Sequence, residues 1–271
     1  VRPTAFGIAL AALAALAIGF LALPLIALVL AVPPRALPGL LASPAAIDAM
    51  IVSVRANAIA NALIIAVGTP AAYLLARAAF RGRAAVQTLI ELPLVLPPAV
   101  AGIALLAAFG ANGLVGGALA ERGIVLPFTE AAVVLAICFV AAPFYLRAAT
   151  SAFAAVDRDT LDAARDLGAS EAQVLRHVAL PLAADGLRTG WALAFARGMG
   201  EFGATLIFAG SVARVTQTLP LAVYAELAVD LDAAIAIGLV LLALSGAVLA
   251  VAKLPRRWSA AADPGTAGTG W

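Results

Sequence analysis

Two charged residues, Arg197 and Glu201, stand four positions apart inside an otherwise apolar stretch of the chain. On a helix that spacing puts both on one face, within reach of each other. A charge in lipid is costly unless paired or wet, so an ionisable residue there marks a functional site by default. Two roles fit the pair: its face lines a path or gate through the membrane, or it is an internal salt bridge that fixes helix packing. Gly198, Gly200 and Gly203 surround it, and Thr205 adds a hydroxyl one turn beyond Glu201. Small residues at that point permit close helix approach or bending. Asn57 and Asn61 form a second polar stripe of the same spacing, expected near the outer end of an earlier span. There they line a vestibule or bond between helices. Arg197, Gly200, Glu201, Gly203, Thr205, Asn57 and Asn61 are therefore the candidates for a translocation path or gate.

Catalytic chemistry has much less to work with. The chain holds one histidine, His177, and one cysteine, Cys138, with no acidic pair inside the apolar stretches. That leaves no disulfide within the chain, no plausible metal-ligand set and no nucleophile–base constellation. A G-x-x-x-x-G-K-[ST] phosphate loop is absent, so any nucleotide must be handled elsewhere. No catalytic residue, metal or cofactor is expected in this chain.

The elements that must position these residues are membrane spans. Hydrophobic residues make up 64% of the chain and charged ones 12%. Soluble domains run near about 45–50% and about 25%, so lipid is the solvent that suits this surface. Six apolar stretches, near 5–32, 52–78, 86–109, 129–150, 189–210 and 233–252, are each long enough to cross a bilayer. The first is longer than a signal-peptide core and reads as a retained span, kinked at Pro24. Twelve of the seventeen basic residues fall on one side if the N-terminus is cytoplasmic, against four (Arg35, Arg55, Arg122 and Arg214) on the other. The positive-inside bias then puts both termini in the cytoplasm. A proline-rich segment, 33–50, reads as an extended external loop, and a glycine-rich one, 110–128, as a fold-back at the external surface. The tail 256–271 reads as disordered. The expectation is an all-α membrane protein of six transmembrane helices. Its division is a first helix and external loop over 1–50, a core over 51–255, and the tail.

The longest inside loop, 151–188, is rich in local signals. Asp157 or Asp159 can cap a helix over TLDAARDL, and Gly168 sits where a left-handed residue ends it. Ser170 and Gln173 make a capping box for a second helix, which Pro181 is expected to stop. A helix-turn-helix for DNA is disfavoured. Six acidic residues against five basic ones, counting from Arg147 to Arg188, would repel phosphate, so no nucleic acid is expected.

The same loop carries a spaced motif: Asp162-Ala163-Ala164, three residues, Gly168, nine residues, Val178, one residue, Leu180-Pro181. It resembles the EAA loop of binding-protein-dependent ABC importer permeases, with Asp162 in place of glutamate and Val178 in place of isoleucine. Segments 53–77, 91–110 and 194–210, the last followed by TQTLPLAVY, are similar to the same family, and most of all to its molybdate branch. The resemblance implies the type I importer-like permease fold in a bacterial cytoplasmic (inner) membrane. Asp162, Ala163, Ala164, Gly168, Val178, Leu180 and Pro181 would dock a coupling helix on an ATPase. It further implies a homodimer, two ATP-binding subunits that hold ATP and Mg, and an external solute-binding protein. The substrate would be a tetrahedral oxyanion, molybdate first, with sulfate or tungstate as alternatives. A secondary transporter is the competing class. It would need ionisable groups in broken helices and usually an internal repeat, and no repeat is visible. An intramembrane enzyme is poorer still, lacking a catalytic set.

Overall fold

The structure is a computed structural model that describes residues 4–78, 80–252 and 254. Its regular elements among the described residues are all helical. The predicted tail over 256–271 lies outside the described residues, as do Arg2, Lys253, Arg256 and Arg257 of the charge-bias reading.

Thr4 starts α1 (Ala5–Ala31) by accepting from Gly7 N, and Pro24 is carried inside a continuous helix. Apolar on every side, α1 buries none of its membrane-length window and leans mainly on the last described helix, Leu231–Ala252. The expected extended loop over 33–50 is instead mostly helical. It forms α2 (Leu37–Leu41) and the first turns of α3 (Pro44–Arg77), with Ser43 capping α3. Pro38 and Pro44 occupy first-turn positions, where a missing N–H costs nothing, so the prolines initiate helix there.

The predicted span over 86–109 is broken. Helices α4 (Arg83–Val95) and α5 (Pro98–Phe109) meet at 118°. Pro97 and Pro98 explain the bend. Each ring pushes the preceding residue out of the helical region, and Leu96 and Pro97 are accordingly extended, at ψ 131° and 137°. Residues 110–115 then fold back on the end of α5 and lead into α6 (Gly116–Ala120). Gly116 is obligatory in that turn, because a Cβ would lie 2.0 Å from Gly110 O.

Helix α7 (Glu130–Ala155), capped by Thr129, is the central post. Helix α8 (Arg158–Asp166) follows at its end, then α9 (Glu171–Val174) and a π turn over Leu175–Ala179. The rod continues as α10 (Leu180–Met199), so the fifth predicted span starts well before residue 189. After a break come α11 (Gly203–Ala209), α12 (Leu219–Glu226) and α13 (Leu231–Ala252). Among the described residues four helices, α1, α3, α7 and α13, are long and apolar enough to cross a membrane, or five spans if the bent α4–α5 pair counts as one.

The core is built around α7, which packs against α3, α10 and α11. Small residues set the α7–α10 spacing. A Cβ on Gly186 would lie 2.4 Å from Ala152 Cβ, and one on Gly190 would lie 2.8 Å from Ala148 Cβ. Two glycines four apart facing two alanines four apart let the backbones close up, which supplies dispersion contact where lipid offers no hydrophobic drive.

Candidate translocation and coupling sites

The α10–α11 break is where the predicted path residues converge. Helix α10 ends at Met199, and Gly200 to Phe202 are non-helical. Arg197 and Glu201 therefore do not share a helix face, contrary to the spacing argument: Arg197 is in the last turn and Glu201 lies in the break. Three glycines within six residues weaken helix propagation there. The two side chains still pair, with Arg197 Nη2 2.7 Å from Glu201 Oε2. The other carboxylate oxygen, Oε1, accepts from Ala204 N at 2.8 Å. Glu201, 2% exposed, thus caps α11 with one oxygen and holds Arg197 with the other. Arg197 keeps a side chain 30% exposed.

On the facing helix, Asn57 and Asn61 are buried near the middle of α3. Asn57 Nδ2 donates to Phe195 O of α10 at 3.1 Å, and Asn61 Nδ2 donates to Asn57 O and Oδ1 at 2.9 and 3.1 Å. Gly198 sits directly over this stripe, since a Cβ there would meet Asn57 Oδ1 at 2.2 Å. Sequence reasoning missed the third member, Ser53, whose Oγ accepts from Leu219 N at the start of α12. The signal was available as a polar residue one further turn back. Ser53, Asn57 and Asn61 together pin α10 and α12 to α3 on either side of the break. Gly203 packs against Pro98 at the head of α5, and Thr205 is buried in α11 with its hydroxyl unpartnered among the described residues. Gly200 is exposed.

The coupling candidates form a separate group at the end of the bundle where α3 and α7 finish. Arg77 Nη2 donates to Phe153 O and Val156 O at 2.6 and 2.7 Å, tying the two helix ends together. Asp157 caps α8, Gly168 takes φ +88° as the sequence requires, and the Ser170–Gln173 capping box is present. Asp162 and Ala163 are exposed, while Ala164, Val178 and Leu180 are half-buried against the core. Pro181 does not stop the helix. It falls in the first turn of α10 after the π turn, where Leu180 N bonds Leu175 O and the i−4 ladder has already been rerouted. Arg165 clamps the hairpin, donating to Asp162 Oδ1 at 2.6 Å and to both oxygens of Glu171 at 2.7 and 3.1 Å. The hydrogen bond from Arg165 holds the Glu171 carboxyl below its ordinary range. Leu167, 90% exposed, stands at the tip of the hairpin and was not anticipated.

Residues 64–257 match the family described as binding-protein-dependent transport system inner membrane component. The chain belongs to this family. Its members are transport permeases, a non-catalytic class in a membrane. Over 230 residues the permease is 43% identical to the molybdenum transport system permease protein ModB of Mycobacterium tuberculosis, covering 85% of this chain and 87% of that one. It is 41% identical over 236 residues to a probable molybdenum ABC transporter permease protein of Haloferax volcanii, covering 86% and 84%. The fold is similar to a bacterial alginate ABC transporter solved in complex with an alginate-bound periplasmic protein. That match has a TM-score of 0.70 and 15% identity over 90% of this chain and 92% of that chain.

Proposed function

We propose that this permease is the membrane subunit of an ATP-driven importer for molybdate. It works as a homodimer with two ATP-binding subunits and receives its anion from an external solute-binding protein. ATP and Mg reside on the ATPase, and hydrolysis is that subunit's chemistry. In this reading the chain crosses the bacterial cytoplasmic membrane six times with both termini inside. The spans are α1, α3, the bent α4–α5 unit, α7, the broken α10–α11 unit and α13.

The observation that carries the proposal is the α8 hairpin, in a chain whose relatives bear the names of molybdenum permeases. A membrane span cannot sense ATP unless something rigid projects from it. The hairpin is capped at each helix start, clamped by Arg165 and joined through the π turn to α10 without interruption. A push on Asp162, Ala163 or Ala164 therefore passes through the Arg165–Glu171 clamp to α9, runs along α9, the π turn and α10 to Arg197, and crosses its ion pair to Glu201, with Gly168, Val178, Leu180 and Pro181 shaping the base. The path itself runs past Arg197, Gly200, Glu201, Gly203 and Thr205, with Asn57 and Asn61 behind them.

Reconstitution in proteoliposomes tests this directly. Molybdate uptake should require the partner ATPase and external binding protein and should be blocked by vanadate. Uptake at full rate by the permease alone would sink the proposal. Competition by sulfate and tungstate in the same assay orders the three dianions.

A further inference from the structure

Three arginines meet one cavity at the joint between α3, α7 and α8. Arg77, Arg158 and Arg165, with Leu161 and Asp162, line a cavity of about 210 Å³ at the root of the hairpin. Arginine carries its charge at any physiological pH and offers a planar fork of donors suited to oxyanions. Asp162 offsets only part of this charge, and its Oδ1 is already engaged by Arg165 Nη1. Arg165 is further held by Glu171, so it is the most neutralised of the three. Arg77 spends one nitrogen, Nη2, on two carbonyls at the end of α7, while its Nε is buried and has no partner among the described residues. Arg158 makes no hydrogen bond or ion pair among the described residues. One turn before Arg77, Tyr73 is 8% exposed and its hydroxyl is also without a partner among the described residues. Buried donors are normally satisfied, so orphaned ones beside a charged cavity point to a group that fills it.

We infer that this cavity binds one tetrahedral oxyanion group, gripped by Arg77 and Arg158 and opposed by Asp162. The shared chemistry is a phosphate- or sulfate-like XO₄ group. Two sources supply it at this end of the bundle: a free dianion, or the headgroup phosphate of an anionic lipid. The site stands apart from the translocation candidates and does not depend on what the permease transports. An occupant bridges α3 and α8, so it ties the hairpin to the spans that the hairpin moves.

The test uses the full chain in nanodiscs, read by its thermal unfolding midpoint. Wild type and Arg158→Gln are titrated with sodium sulfate and with inorganic phosphate, against sodium chloride at equal ionic strength. The titrations are run in discs of phosphatidylcholine alone and in discs containing phosphatidylglycerol. The wild-type midpoint should rise saturably with either dianion in phosphatidylcholine, and Arg158→Gln should need at least tenfold more anion. If a headgroup fills the cavity, phosphatidylglycerol raises the wild-type midpoint but not that of Arg158→Gln, and added dianion gives nothing further. Asp162→Asn should shift the titration the opposite way, toward lower anion. Should Arg158→Gln fold poorly, Arg158→Lys keeps the charge without the fork and should fall between the two. Identical responses of wild type and the Arg158 variants in every arm, or no response beyond chloride in any, would overturn the inference.

Discussion

Pro98 and Gly203, the first residues of α5 and α11, sit against each other: a Cβ on Gly203 would lie 2.5 Å from Pro98 Cβ and 3.2 Å from its carbonyl carbon. Each residue restarts a helix after a break. The two interruptions in the bundle are thus one structural joint, formed where the chain bends by 118° on one side and unwinds over three residues on the other.

That contact predicts a steep size dependence at position 203. The neighbour is a proline ring and backbone, which cannot swing aside, so Gly203→Val should destabilise by about 1–3 kcal/mol through overpacking. The comparison is Gly246→Ala in α13, where no atom lies within 4 Å of the added carbon. Thermal unfolding in detergent should place Gly203→Val clearly below wild type and Gly246→Ala at or above it. Equal midpoints would mean that the joint is looser than its geometry.

Asn57 and Gly198 predict a non-additive pair. Gly198→Ala drives a methyl group into Asn57 Oδ1, and Asn57→Ala strips the bond to Phe195 O. Each alone should cost about 1–3 kcal/mol, by crowding or by an unpaired buried carbonyl. The double variant should lose less than the sum, because removing the amide makes room for the methyl. Ile137 Cγ2, at 2.7 Å from the same position, limits the recovery. A double-mutant cycle on unfolding free energies measures the coupling, and strict additivity would contradict the contact.

The spans that hold these joints were legible because long apolar runs suit lipid and little else, and α1, α7 and α13 overlap the expected stretches closely while α3 starts early, inside the expected 33–50 loop. The α10–α11 break was not legible. Pro24, Pro70 and Pro143 all sit inside continuous helices, so a lone proline in an apolar run does not mark an end. Two consecutive prolines do, since each restricts the residue before it, and Pro97–Pro98 was readable on that ground. The hairpin was the most legible part, because capping is local chemistry: Asp157, Gly168, Ser170 and Gln173 do what their types require. Pro181 misled because the π turn before it is invisible to short-range rules. Contacts such as Ser53 to Leu219 N and Arg77 to Phe153 O join residues 166 and 76 positions apart, and a single sequence carries no trace of such pairings.

Gly168 separates coupling from folding. Its φ of +88° is unfavourable for any side chain, yet a Cβ there meets nothing within 4 Å. The penalty for Gly168→Val is therefore backbone strain alone, about 1–3 kcal/mol at the hairpin turn. The spans should stay folded while α8 tilts. In proteoliposomes ATPase activity should persist with uptake reduced several-fold, and Gly168→Asn should be milder because asparagine tolerates the left-handed region. Full uptake in Gly168→Val would remove α8 from the transmission route.

Glu171 gives the pH dependence of the clamp. Its carboxyl is held below the ordinary value of 4.5 by the hydrogen bond from Arg165. A depressed carboxyl contributes stability in full above its unfolded value and loses it as pH falls through the lower folded one. The clamp is thus complete at neutral pH and opens only in acid. Carboxyl-selective NMR should find the Glu171 titration displaced to low pH, and Arg165→Met should return it upward. An unchanged titration in Arg165→Met would assign the depression to another group. Because the pair is solvent-exposed, salt should weaken it.

Arg197 and Glu201 admit a decisive comparison between path and packing. Removing one partner leaves the other charge without its mate in a largely apolar setting, so Glu201→Ala should be costly, at about 3 kcal/mol. Glu201→Gln should be milder, because its amide oxygen can still accept from Ala204 N and keep α11 capped. Replacing both, as Arg197→Met with Glu201→Gln, removes the uncompensated charge and should restore most of the unfolding midpoint. If the pair only fixes the break, uptake by the double variant returns with stability. If Arg197, with its 30% exposed side chain, attracts the passing anion, the stable double variant still transports at least tenfold more slowly. Its remaining uptake should also lose the dependence on ionic strength that a cation at the gate confers.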